Sequence, residues 1–245
     1  MTVKVIVKED YQEMSCAAAH LIEKKITENP QAVLGLATGS TPLATYKEMV
    51  KGYKEGEFSY RNIQSLNLDE YVGLDKKHPQ SYHRFMCEHL FDHIDIDLDN
   101  THIPRGDAPD IEQECQRYEG LIDQIGPPDL QILGIGRNGH IGFNEPGTPF
   151  DSTTHVVTLT ESTRKANARF FSSLEAVPTH SITMGIRSIL KSKQILLLAS
   201  GEEKAPAIDK LLNGKVEEDF PASALKNHPD VTLIVDEKAY QKAMK

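Results

Sequence analysis

The sequence predicts an α/β fold, a three-layer α/β/α arrangement around a mainly parallel, Rossmann-like sheet, on three observations. Short apolar runs alternate with segments of helical spacing along the chain. The 245 residues, 39% of them hydrophobic, suffice to bury a full core. No tandem repeat, low-complexity tract or long linker divides the chain, so residues 1–245 read as a single domain.

The strands are read from runs rich in β-branched residues and leucine. V-K-V-I-V at 3–7 opens the series, and A-V-L-G-L-A at 32–37 and I-Q-S-L-N-L at 63–68 follow. L-Q-I-L at 130–133, V-V-T-L at 156–159, I-L-L-L-A at 195–199 and V-T-L-I-V at 231–235 complete it. Helical spacing occupies 11–27, 43–53, 81–94, 111–125, 161–171 and 205–212. The helix from residue 43 has Thr41 as its expected N-cap and Pro42 at its first position. Residues 95–109 form the longest connection without a clear element. Such alternation places helices on both faces of a parallel sheet.

Composition narrows the function. Lys and Arg total 27 against 36 Asp and Glu, a formal charge of −9 that argues against a nucleic-acid surface. Cys16, Cys87 and Cys115 are widely spaced and odd in number, which fits reduced thiols in a cytoplasmic protein rather than a disulfide framework or zinc ribbon. The first ten residues carry Lys4, Lys8, Glu9 and Asp10 around one short apolar run, which is neither a secretory segment nor a membrane span.

In an open α/β sheet, ligands bind beyond the carboxyl ends of the strands. Four polar stretches lie just there. Thr38-Gly39-Ser40-Thr41 offers backbone N–H groups and hydroxyls to an anion, although the same residues also read as a plain helix cap. Asp69 follows the 63–68 run, where partial desolvation would suit a proton shuttle and solvation would make it ordinary. Residues 134–150 place His140 and Glu145 among five glycines and two prolines, so the chain is bent to place side chains rather than to build a core. His140 and Glu145 could act as a base and its orienter. Ser200-Gly201-Glu202-Glu203 has the form of a capping box, with Lys204 in the first turn after it and Pro206 complicating the helix start.

Other signals weigh against function. Residues 134–139 match G-x-G-x-x-G, but Gly142, Pro146, Gly147 and Pro149 forbid the helix that fingerprint needs, so no nicotinamide cofactor is expected. His83, His89 and His93 share a helix without an H-E-x-x-H pattern or a cysteine cluster and read as a packed or solvated face. Arg164, Lys165 and Arg169 lie on the helix after Thr160, where most cations are solvated, while Arg169, just before Phe170 and Phe171, could instead be held near the sheet.

L-G-L-A-T-G-S-T-P at 34–42, N-L-D-E-Y-V-G at 67–73, G-I-G-R-N-G-H-I-G-F-N-E-P at 134–146 and A-N-A-R-F-F at 166–171, with T-M-G-I at 183–186, closely resemble the glucosamine-6-phosphate deaminases of the glucosamine/galactosamine-6-phosphate isomerase family. The resemblance spans nearly the whole chain and implies the sugar-phosphate isomerase/CoA-transferase-like version of the fold. It implies hydrolytic deamination of glucosamine 6-phosphate to fructose 6-phosphate and ammonia in amino-sugar catabolism, without metal or cofactor. By that match His140 moves the proton that opens the pyranose ring and Glu145 orients it. Asp69 carries a proton from carbon 2 to carbon 1. Thr38, Gly39, Ser40, Thr41, Arg169 and Lys204 hold the phosphate, which anchors the sugar.

The match also carries departures. Asn138 stands where some members have an aspartate in the histidine relay, and an amide can orient but cannot take up a proton. Members activated by N-acetylglucosamine 6-phosphate use an arginine and a lysine where this chain has His155 and Val157, and a C-terminal extension beyond the position of Lys245. The allosteric response is therefore expected to be missing, while monomer and homo-oligomer stay equally open. A lactonase of the same superfamily and a sugar-phosphate-sensing domain remain the alternatives, although neither needs Asp69 and His140 together.

Overall fold

The computed structural model of the protein describes residues 3–168 and 171–243. Seven strands form the main sheet: β1 (Lys4–Lys8), β2 (Val33–Leu36), β3 (Gln64–Asn67), β5 (Thr101–His102), β6 (Leu130–Gly134), β9 (Ile195–Ala199) and β10 (Val231–Asp236). Their spatial order is β1-β10-β9-β6-β2-β3-β5, and every pairing is parallel. β2, β9 and β10 are buried along their whole length, as expected of strands covered on both faces.

Helices α1 (Tyr11–Glu28), α2 (Leu43–Lys54), α3 (Tyr82–His89), α4 (Ile111–Ile125), α5 (Glu161–Asn167), α6 (Ile186–Leu190), α7 (Ala205–Asn213) and α8 (Glu237–Tyr240) join the strands. One hydrophobic cluster runs from Met14 and Ile22 of α1 through the main sheet to Ile208 and Leu211 of α7. Asp10, Ser81, Asp110, Thr160 and Asp236 cap their helices through side-chain oxygens. Among the described residues no helix is long and apolar enough to cross a membrane.

The sheet and its connections depart from the sequence reading in two places, and one helix cap in a third. The run 156–159 was expected in the parallel sheet, but β7 (His155–Thr158) pairs antiparallel with β8 (His180–Thr183), which pairs antiparallel with β4 (Asp69–Tyr71). These three strands form a second small sheet. β7 is only half-buried, so an apolar run of four residues said nothing about which sheet it would join. The unclear stretch 95–109 holds a 3-10 turn at Leu98–Asn100 and the two-residue edge strand β5.

Thr41 does not cap α2. The N-cap is Pro42, with no side-chain bond, and the Ala44 N–H donates instead to the hydroxyl of Tyr11, 29 residues or more away in sequence from the loop it clasps. That hydroxyl also reaches the carbonyls of Ser40 (2.8 Å) and Thr41 (3.1 Å). A tertiary contact has replaced the local cap.

Tyr46 of α2 is fully buried, donates to the Ala37 carbonyl (2.6 Å) and accepts from the Ala37 N–H (3.2 Å). It fixes the end of β2 where the loop begins. Tyr46→Phe leaves both backbone groups buried without a partner and should cost about 1–3 kcal/mol. The check is denaturant unfolding of both proteins, where a loss under 0.5 kcal/mol, as a rough threshold for an ordinary surface change, would refute it.

Candidate active site at the sheet switch point

Strand order reverses between β2 and β6: the chain proceeds outward from β2 through β3 to β5, then returns to β6 and continues the other way to β9 and β10. Ligands settle in the crevice beyond the strand ends at such a point. The loops after β2 and β6, carrying Thr38–Thr41 and residues 135–150, both open there.

Asp69 arrives from the neighbouring strand. Leu68 ends the run that began in β3, its N–H still bonded to the Leu36 carbonyl (3.1 Å), and the chain then turns into β4. Asp69 pairs with Thr183 of β8 and is 6% exposed. Burial, and secondarily the charge of Glu70, push its carboxyl up to about 8. The sequence placed Asp69 at a strand tip with partial desolvation; the structure puts it at the seam of two sheets and desolvates it nearly fully.

The loop after β6 is wound without a helix, as the rejection of the dinucleotide fingerprint required. The Gly136 N–H donates to the His140 carbonyl and the Gly139 N–H to the Gly136 carbonyl, closing a tight turn. The His140 imidazole lies directly against Gly136, in space that a Cβ there would occupy. Gly142, with φ +57, brings the loop back past the acid: a Cβ at this position would lie 2.9 Å from Thr183 Oγ1 and 3.6 Å from Asp69 Oδ2. Asp69 and the histidine loop thus come close together across the crevice. Asn144, fully buried, donates to the carbonyls of Ile141 and Met184 and ties the loop to the end of β8.

His140 and Glu145 are brought together, but not in a hydrogen bond: Nδ1 and Oε2 are 3.8 Å apart. Asn138 spans the gap. Its Nδ2 donates to Glu145 Oε2 (2.5 Å) and its Oδ1 accepts from the His140 N–H (3.2 Å). Glu145 Oε1 accepts from Thr163 Oγ1 (2.9 Å), which links the pair to α5. Burial holds His140 below the usual imidazole range, opposed by the Glu145 charge and assisted by Lys204. The imidazole is therefore neutral near pH 7.

Lys204 sits in a 3-10 turn, Glu202–Lys204, ahead of α7. The expected capping box is absent. Ser200 Oγ donates to Asp236 (2.6 Å), and the Gly201 N–H donates to the same carboxylate, which thereby aims the turn. Burial lowers Lys204, and its charge acts on His140. Among the described residues it makes no ion pair, while Arg137 is engaged with Glu203. Arg169 lies outside the described residues. Arg164 donates to the carbonyls of Leu174 and Val177 and Lys165 pairs with Glu161, so both serve the local structure. His93 Nε2 meets the Glu88 carbonyl, and His83 lies 3.8 Å from Cys87 Sγ.

Sequence reasoning passed over Tyr11, Glu70, Tyr82, Thr163 and Thr183. Tyr82, Tyr71 and Phe143 form an aromatic wall with centroids 4.8–6.2 Å apart, and the Tyr82 hydroxyl interacts with Thr38. Glu70, inside N-L-D-E-Y-V-G, and Thr183, inside T-M-G-I, carried a signal but were given no role; the others act through contacts distant in sequence.

A hydroxyl-rich loop, a half-buried lysine and a desolvated acid close to the histidine loop meet at the switch point of an α/β enzyme. Residues 8–234 match the family described as glucosamine-6-phosphate isomerases/6-phosphogluconolactonase, and the chain belongs to it. Glucosamine-6-phosphate deaminase of Bacillus pumilus is 57% identical over 235 residues, covering 96% of this chain and 98% of that one. A solved structure described as a monomeric glucosamine-6-phosphate deaminase superposes with a TM-score of 0.96 at 53% identity, covering 98% of this chain and all of that one. The 6-phosphogluconolactonase of Trypanosoma cruzi, with a TM-score of 0.80, 19% identity and coverage of 100% of this chain and 99% of that one, shares the fold.

Gly136→Ala should push the imidazole out of place and lower kcat/KM about 100-fold, the effect of roughly 1 Å of misplacement, with little change in melting temperature. Activity within about threefold of the parent would show that His140 does not need its seat on Gly136.

Proposed function

We propose that this protein converts glucosamine 6-phosphate and water to fructose 6-phosphate and ammonia, through ring opening and aldose-ketose isomerisation. The observation that carries the reading is Asp69: a carboxylate desolvated at the crevice, against the loop that holds His140. Proton transfer at carbon needs a base stronger than a solvated carboxylate, and burial supplies one. Ester hydrolysis by water, the lactonase alternative, involves no carbon-bound proton and leaves such a base without a task.

In this reading Thr38, Gly39, Ser40, Thr41, Lys204 and Arg169 hold the phosphate, so that binding at one end of the sugar positions carbons 1 and 2 at the other. Neutral His140 takes the hydroxyl proton at carbon 1 and returns a proton to the ring oxygen, while Asn138 and Glu145 hold it in place. Asp69 removes the proton on carbon 2, leaving an enolamine, and delivers it to carbon 1. Water adds to the ketimine at carbon 2 and ammonia departs. The chain acts as one catalytic unit, which the continuous core supports. A cytoplasmic location fits the three free cysteines. His155 and Val157 on β7 supply no cationic pair for a phosphorylated effector, so the kinetics are hyperbolic and unresponsive to N-acetylglucosamine 6-phosphate.

The deciding assay is release of ammonia and fructose 6-phosphate from glucosamine 6-phosphate, beside hydrolysis of 6-phosphogluconolactone. Equal release of both products supports the reading, and lactone hydrolysis alone sinks it. Initial rates with and without N-acetylglucosamine 6-phosphate test the effector: sigmoidal curves that it makes hyperbolic would overturn the assignment of β7.

Asp69→Asn should lower kcat by at least about 10³-fold while phosphosugar binding persists. In the parent, kcat/KM should rise with pH through about 8, since Asp69 of the free enzyme is a base only when ionised. Stability runs the other way. With its folded value raised from the ordinary 3.8 to about 8, Asp69 keeps a proton in the folded state that the unfolded chain releases, so stability falls as pH rises across that window. Asp69→Asn removes this slope and should melt above the parent at pH 9 by more than about 3 °C. Near-parental turnover, or an unchanged melting difference between pH 5 and pH 9, would contradict the assignment.

A further inference from the structure

Glu70 follows Asp69 on β4, so the two carboxylates leave opposite sides of the strand. Asp69 faces Gly142 and Thr183, and Glu70 faces the start of α3. There its Oε1 accepts from the N–H groups of Tyr71 (2.9 Å) and Tyr82 (2.9 Å), and its Oε2 from that of His83 (3.0 Å). Glu70 is 2% exposed. Ser181 of β8 donates to the Glu70 carbonyl (2.7 Å), so the backbone at this point is held as firmly as the side chain.

We propose that Glu70 is a positioning residue of the reaction: its carboxylate anchors the first turn of α3, which sets Tyr82 against the crevice, and its negative charge makes the adjacent Asp69 a stronger base. The inference rests on the reading of Asp69 as the base.

Three features of the geometry carry it. Every partner of the Glu70 side chain is a donor, so a protonated carboxyl would set its own O–H against an N–H; the ionised form fits the site. Two of the three donors, the Tyr82 and His83 N–H groups, belong to a helix N-terminus, which favours an anion. Ser81 already satisfies the Arg84 N–H at 3.0 Å, so Glu70 takes the two N–H groups that this cap leaves open. Anchoring Tyr82 fixes the hydroxyl that interacts with Thr38 of the anion loop and the ring that lines up with Phe143.

The electrostatic half follows from what surrounds the pair. Tyr46 of α2, Tyr71 of β4, Tyr82 of α3 and Tyr118 of α4 face Asp69, and burial keeps all four phenols neutral through the working range. Glu70 is the charged side chain that acts on Asp69 among the described residues. Asp107, in the segment after β5, adds a further negative charge acting on Glu70. Burial pushes Glu70 up to about 7, against the pull of its three N–H donors, so it is ionised over the pH range in which Asp69 titrates.

Glu70→Gln removes the charge and turns an amide N–H toward a backbone donor; Glu70→Asp keeps the charge but shortens the reach to α3. The acid limb of kcat/KM should move about one unit to lower pH in E70Q and stay in place in E70D. Both should lose about tenfold in kcat on the alkaline plateau, from a weaker base in one and a displaced Tyr82 in the other. A purely structural Glu70 would lower the melting temperature of both variants without moving either limb. An E70Q limb that coincides with the parent's overturns the proposal.

A second measurement does not depend on E70Q folding. Isotope-edited infrared titration of the parent should find Glu70 ionising at lower pH than Asp69, so that its charge is present when Asp69 titrates. Asp69 ionising before Glu70 also overturns the proposal. Failure of the underlying reading would appear separately, as turnover by D69N.

Discussion

Desolvation of one carboxylate organises this site. Asp69 stands where the chain leaves the parallel sheet at Asn67 and enters the small antiparallel one, and that seam excludes water more completely than a loop could. A carboxylate in water is too weak a base to take a proton from carbon at neutral pH. Moved into the seam beside a second carboxylate, it holds a proton more tightly, as the base proposed for it must. The second sheet therefore has a chemical consequence: β8 closes over Asp69 from one side, and Thr183 joins it to the returning loop.

The histidine loop solves a different problem, which is to place polar groups precisely without regular structure to hold them. It does so by close packing and by chained hydrogen bonds. Gly136 leaves room for the imidazole, Asn138 links the histidine backbone to Glu145, and buried Asn144 nails the far end to β8. An asparagine suffices because the link only has to orient. Glu145 is also held by Thr163, so the set of the pair depends on α5 being in place. Across the crevice, Tyr11 does for the anion loop what a local cap would have done, tying α1 to the carbonyls of Ser40 and Thr41. Loops of this kind are functional because a rigid sheet carries them.

Much of this was legible in the residues. Strand-forming runs, helical spacing and the polar stretches after them located the crevice, and Asp69, His140, Glu145 and Lys204 were all singled out. The failures share a cause. Thr41 and Ser200 looked like helix caps because capping is judged from neighbours in sequence, yet Tyr11 and Asp236 took over from far away in the chain. The run 156–159 was placed in the wrong sheet because periodicity reports burial and not partners. Glu70 looked like an ordinary neighbour of Asp69, since nothing local announces that its oxygens will meet the start of α3.

The sequence by itself determined the α/β class, the elements that build it and the family, because these rest on local propensity, hydrophobic period and ordered motifs. Tertiary structure alone decided the protonation chemistry. Whether Asp69 is a solvated acid or a base, whether Glu70 is a surface charge or a buried anchor, and whether His140 meets Glu145 directly or through Asn138 all depend on dielectric surroundings and distances of a few ångströms. Those quantities arise only when segments remote in the chain are packed together, since the cost of a buried charge is set by what surrounds it and not by its neighbours in sequence.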